Sequence, residues 1–197
     1  LLADDGHDVT IYERSASPLE ERGAGIGFLP ATARYLRDRA GIDLATITVP
    51  TRWIRTLHRD GSVAHAAEHA YLFSSWNTVY RETLHRFDAN RYLLGHELTS
   101  LEPFAPRLTF ANGTTVDADL AVCADGVGSA ARAQLLPGVA PRYAGYVAWR
   151  GVVPETDLSD ATRAAFDDAI TYFVTANSHL LVYPIPGRDG TVAPGER

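Results

Sequence analysis

A chain of 197 residues, 46% hydrophobic and 21% charged, has room for one full domain or parts of two, and it excludes a disordered polymer. The net charge of −6 argues against a nucleic-acid platform, which would carry a basic face. No apolar run approaches the ~20 residues of a membrane-spanning helix, and no signal-peptide pattern opens the sequence.

The opening Leu1-Leu2-Ala3-Asp4-Asp5-Gly6 reads as the end of a helix stopped by Gly6. Asp8–Tyr12 is a short β-rich run that ends in Glu13-Arg14. A glycine-rich stretch, Gly23-Ala24-Gly25-Ile26-Gly27, leads to Pro30, which opens a helix through Ala40 with Gly41 as its stop. Residues 51–64 predict two strands around an Asp60-Gly61 turn. Ser74 or Ser75 caps a helix from Trp76 to Phe87. A strand is expected near Tyr92–Leu94, and a hairpin pairs Leu108–Phe110 with Thr115–Ala118 around Asn112-Gly113. Leu120–Ala124 is continuously apolar, as a strand covered on both faces would be. Its Cys123 is the single cysteine, so no internal disulfide forms; a buried thiol in a reduced, cytoplasmic setting is expected. A helix begins near Ser129. Beyond Pro141, Tyr143–Val153 and Ile170–Tyr183 are aromatic and β-rich, with a short helix over Ser159–Asp168 between them. Helices alternating with strands, then a strand-dominated region, predict a nucleotide-binding α/β unit plus a sheet-based second domain.

Four groups of residues carry chemistry. An acid at the end of a strand, here Glu13, can accept from a ribose hydroxyl; such an acid follows phosphate-binding glycines by roughly 20 residues, which places those glycines before residue 1. A strand ending in Glu-Arg is also structurally ordinary. The glycines after Arg22 let a backbone approach a flat or anionic ligand closely, or they form a plain turn. Ala124-Asp125-Gly126-Val127-Gly128-Ser129, followed by Arg132, sets amides, an acid and an arginine at a strand-to-helix turn; Ser129 can equally serve there as a simple N-cap. Arg81 lies on the helix after Ser75, as a phosphate partner or as a solvated residue.

Taken together, Tyr12-Glu13-Arg14, Gly23-Ala24-Gly25-Ile26, Tyr80-Arg81 with Leu84, and Ala124-Asp125-Gly126 with Ser129 and Arg132 resemble the para-hydroxybenzoate hydroxylase-like family of FAD-dependent aromatic monooxygenases. Within it, Tyr143–Gly151 and Tyr183-Pro184-Ile185-Pro186-Gly187 look like the branch that hydroxylates dihydroxypyridines. The resemblance implies an α/β fold: a Rossmann-like FAD-binding domain, incomplete, with an inserted β-rich substrate domain. Residues 1–50 and 76–142 would form the FAD-binding part, without its N-terminal strand and glycine motif, and 51–75 with 143–197 part of the substrate domain. A later Gly-Asp motif is also missing, so the chain reads as truncated at both ends and inactive alone. The resemblance implies that Glu13 with Arg14 beside it holds the adenosine ribose, that Gly25 and Ile26 lie near the flavin, that Arg81 reaches the phosphates, and that Asp125 with Gly126 serves the cofactor. NADH or NADPH would be the co-substrate, and O2 the oxidant for a small electron-rich ring. Tyr146, Trp149, Arg150, His179 and Tyr183 are candidate pocket residues, with His179 and Tyr183 as the catalytic candidates; ordinary core aromatics read the same way. A homodimer is compatible with this reading.

Two rival readings stand beside it. His65-Ala66-Ala67-Glu68-His69 matches an inverted zinc-peptidase pattern, which needs a helix to bring the two histidines onto one face. The other rival is a non-catalytic FAD- or nucleotide-binding fragment.

Overall fold

The structure is a computed structural model that describes residues 1–20, 25–104 and 106–197. In chain order the strands are β1 (Ile11–Tyr12), β2 (Gly25–Phe28), β3 (Val49–Leu57), β4 (Val63–Ser75), β5 (Tyr92–Leu93), β6 (Leu98–Glu102), β7 (Arg107–Phe110), β8 (Thr115–Asp117), β9 (Ala169–Val174) and β10 (His179–Val182). The α-helices are α1 (Pro30–Asp38), α2 (Trp76–Leu84), α3 (Ala130–Leu135) and α4 (Asp160–Phe166). The chain divides into two compact units, Leu1–Leu19 with Phe87–Trp149 and Glu20–Arg86 with Arg150–Arg197. Arg22, Gly23 and Ala24 of the glycine-rich stretch lie outside the described residues.

In the first unit, β1 pairs in parallel with β5. The ladder continues past the strands, with Glu13 N donating to Leu93 O at 2.8 Å and His96 N donating to Glu13 O at 2.9 Å. Tyr12 stacks on Phe110, with ring centroids 4.7 Å apart. β6, β7 and β8 form an antiparallel meander. Its expected turn holds: Gly113 sits at φ +84°, which a side chain resists, and Asn112 Oδ1 accepts from Thr114 N at 3.0 Å. α3 is tied to β6 by Gln134, whose amide brackets the backbone of Leu101, with Leu101 N donating to Oε1 at 3.0 Å.

The second unit is built on a five-stranded sheet ordered β10-β9-β3-β4-β2, antiparallel except where β3 meets β9. Asp60-Gly61 makes the β3–β4 turn, with Gly61 at φ +85°. Ser75 caps α2 through its Oγ, which accepts from Thr78 N at 3.1 Å. Phe28, Ala33, Leu36, Ile42 and Ile47 form the buried cluster between α1 and the sheet, and Ile26, Leu72 and Val79 pack against it. Burying each such large side chain contributes roughly 1.5–3 kcal/mol. Ser74, fully buried, donates from Oγ to Ile47 O at 2.6 Å, which locks β4 to the loop before β3. Asp168 stands in the left-handed region at φ +54°, held by Arg52, whose backbone N donates to Oδ1 at 2.9 Å.

Three expectations fail here. Leu120–Ala124 is not a strand, and Leu120 and Val122 are 70% and 73% exposed. Cys123 is exposed rather than buried. Tyr143–Val153 also forms no strand, and Trp149 is 95% exposed. Apolarity and β-propensity report a side-chain preference for burial, whereas a strand needs a neighbour for its N–H and C=O groups. Among the described residues no strand pairs with either segment.

Candidate functional site

The second unit brings together residues from distant parts of the sequence. β2 pairs with the end of β4, so that Gly25 lies opposite Ser75 and Gly27 opposite Phe73. Gly25 and Gly27 alternate onto one face, and Ile26 turns the other way into the core. Tyr183, just past β10, lies against the bare backbone of Gly25: a Cβ added there would stand 2.7 Å from the phenol oxygen and 2.8 Å from Ile185 Cγ2. The Tyr183 ring also stacks on Phe73, with centroids 4.2 Å apart and planes 26° from parallel. Burial raises the Tyr183 phenol above its ordinary range, against the Arg150 charge, which pulls it down, and with Tyr172 adding to the rise. The phenol is therefore a protonated hydroxyl at neutral pH, able to donate a hydrogen bond.

Gly25, expected beside a cofactor, and Tyr183, expected at a substrate ring, thus touch. His179 does not join them. It is exposed on β10 opposite Val174, four residues from Tyr183, or about 13 Å along an extended chain. Tyr146 and Trp149 are exposed in the first unit, and Arg150 in the second. Phe73 was not singled out in the sequence, because an apolar residue in a strand carries no mark of which face it serves; Ile185, past the end of β10, was quoted only as part of the Tyr183–Gly187 motif. Arg81 donates from Nη1 to Arg188 O at 2.7 Å and from Nη2 to Glu20 at 3.1 Å, so its guanidinium already engages an anion.

In the first unit, Glu13 follows the carboxyl end of β1, in a parallel pair, half buried. Its Oε1 accepts from Ser15 N at 2.7 Å. Arg14 beside it is exposed. Asp125 Oδ2 accepts from Ala131 N at 3.2 Å, and Ser129 Oγ accepts from Arg132 N at 2.9 Å, so two side chains cap α3. Burial alone would raise the Asp125 carboxyl, but the hydrogen bonds from Ser129 and from the backbone of Ala131, Asp125 and Ala130 together hold it below its ordinary value. Gly126 at φ +76° makes the turn that aims Asp125 at the helix start. Within the first unit, an acid at the end of a parallel strand suits a ribose hydroxyl such as FAD carries; within the second, the Gly25 face of β2 is taken by Tyr183 and Ile185.

The zinc arrangement loses its geometry. His65, Glu68 and His69 lie on β4, not on a helix. His65 and His69 are about 13 Å apart along a strand, and Glu68 alternates to the face opposite His65.

A family model described as FAD binding domain-like matches residues 143–197. The chain is 35% identical over 201 residues to 2,6-dihydroxypyridine 3-monooxygenase of Paenarthrobacter nicotinovorans, a match covering 98% of this chain and 49% of that protein. The chain is a relative of the FAD-dependent aromatic monooxygenases. It is also 34% identical to 3-amino-4-hydroxybenzoate 2-monooxygenase of Streptomyces cremeus, across 95% of this chain and 50% of that one. The solved structure of 2,6-dihydroxypyridine-3-hydroxylase from Arthrobacter nicotinovorans superposes with a TM-score of 0.89 at 34% identity, covering 96% of this chain and 48% of that chain. The α/β FAD-binding fold of these monooxygenases is therefore the fold of this chain, which spans about half the length of the curated relatives it matches.

Proposed function

We propose that the protein carrying this chain uses FAD, O2 and NADH or NADPH to hydroxylate a small electron-rich aromatic or N-heteroaromatic ring. The observation that carries this reading is the match to a 2,6-dihydroxypyridine 3-monooxygenase along 98% of the chain, with Gly25 and Tyr183 in contact. FAD, when bound, supplies the redox chemistry and the activation of oxygen. The residues of this chain bind, orient and exclude water. In this proposal Glu13, with Arg14 beside it, accepts from the adenosine ribose, Gly25 and Ile26 lie near the flavin, Arg81 meets the phosphates, and Asp125 with Gly126 orders the α3 turn for the cofactor. Tyr183 donates a hydrogen bond to the ring substrate, and His179 is retained as the second catalytic candidate. The proposed division of labour gives residues 1–50 and 76–142 to FAD and 51–75 with 143–197 to the substrate; a homodimer and a cytoplasmic setting complete it.

The test is turnover of 2,6-dihydroxypyridine by the full-length protein with FAD and NADH or NADPH under labelled oxygen, read by mass spectrometry. The expected product is a ring carrying one added oxygen from O2. If FAD binds and nicotinamide is oxidised with no labelled product from this or any related hydroxylated ring, the hydroxylase reading fails and a non-hydroxylating flavoprotein replaces it.

A further inference from the structure

We propose that Gly25, Gly27 and Phe73 form a seat that fixes the Tyr183 ring, which makes Gly25 a positioning residue for Tyr183. This rests on the reading that Tyr183 lines the ring-substrate site, and it adds the means by which the phenol is held there. The seat is made by alternation: Gly25 and Gly27 present a side-chain-free strip on one face of β2, and Phe73 stands across the ladder from Gly27. A Cβ added at Gly27 would meet Phe73 Cε1 at 3.3 Å, so the Phe73 ring lies over that glycine. Tyr183 stacks on Phe73 and extends the aromatic layer over Gly25, where a Cβ would overlap both the phenol and Ile185. The pair of glycines is thus needed on this face for an aromatic side chain rather than for a tight turn; β2 is extended there, and neither glycine has a positive φ.

Tyr71 and His69 continue the row along β4, with centroids 5.4 Å from Tyr71 to Phe73 and 4.6 Å from His69 to Tyr71. The seat is therefore the buried end of an aromatic row, and Phe73, 3% exposed, is its rigid member. Tyr183 is half-buried and free to respond if the strip beneath it gains a methyl group.

The experiment uses the full-length protein labelled with 3-fluorotyrosine, without FAD, followed by 19F NMR. A Tyr183→Phe variant identifies the Tyr183 resonance. In Gly25→Ala that resonance is expected to move towards the position of an exposed tyrosine, as the ring leaves the face of Phe73. In the loaded enzyme kcat/KM for the ring substrate is expected to fall about tenfold to a hundredfold. Phe73→Leu is expected to move the same resonance with both glycines intact. An unmoved Tyr183 resonance in Gly25→Ala, with weakened FAD binding, overturns the proposal and leaves Gly25 acting on the cofactor alone. Should Gly25→Ala fail to fold, the double variant Gly25→Ala/Tyr183→Ala decides: recovery of folded protein supports the seat, and no recovery overturns it. The resonance is read without cofactor or turnover, so failure of the hydroxylase reading and failure of the seat are separately visible.

Discussion

Tyr183 is held between Phe73 and the bare backbone of Gly25, and that burial favours its neutral phenol. A phenol whose ionisation is raised on folding contributes stability that is fully present below the ordinary tyrosine range, near pH 10, and is lost as pH rises through the folded value. Arg150 works against the shift and Tyr172 with it, so the direction is the quantity to measure. Thermal melts between about pH 9 and 11 should show the parent protein losing stability more steeply than its Tyr183→Phe variant. Equal slopes would contradict the buried-phenol account. At this scale the sequence was informative where chemistry marks a residue. Glu13 stands at the carboxyl end of β1, as its position after a β-rich run implied. Phe73 was silent, because which face a strand residue serves depends on a neighbour 110 positions away in Tyr183. Cys123 misled, since its apolar neighbours implied a covered strand, and the thiol is exposed in a segment that no strand among the described residues pairs with.

Elements were legible where their ends carry punctuation. Ser75, Ser129 and Ser159 cap α2, α3 and α4 through their hydroxyls, and Pro30 opens α1. Asp60-Gly61 and Asn112-Gly113 make hairpin turns because only glycine adopts their positive φ without strain. Ser75→Ala should cost about 1 kcal/mol of stability in chemical denaturation, since Thr78 N loses its acceptor in a buried setting. An unchanged midpoint would mean that another group satisfies that amide. β4 was harder to see. Its first half, through His65 and His69, lacks apolar alternation and is exposed, and it is a strand because β3 offers it a ladder. The same rule in reverse explains Leu120–Ala124 and Tyr143–Val153, which have strand composition and no pairing partner among the described residues.

At the scale of the molecule, two compact units share a chain that matches about half of each curated relative. The class of fold was readable from the order of the motifs, because a β-rich run ending in an acid, a glycine strip and a capped Asp-Gly turn each impose local geometry that the structure keeps. The way the chain weaves between units was not, since crossing from one unit to the other at residues 19, 86 and 149 leaves no composition mark. Behind every assignment stands one claim, that these residues serve FAD. It is tested most directly by mixing the purified full-length protein with FAD, removing unbound flavin by gel filtration and recording the visible spectrum. An equimolar flavin spectrum that weakens in Glu13→Ala is the predicted result; a colourless protein under the same conditions would contradict the account.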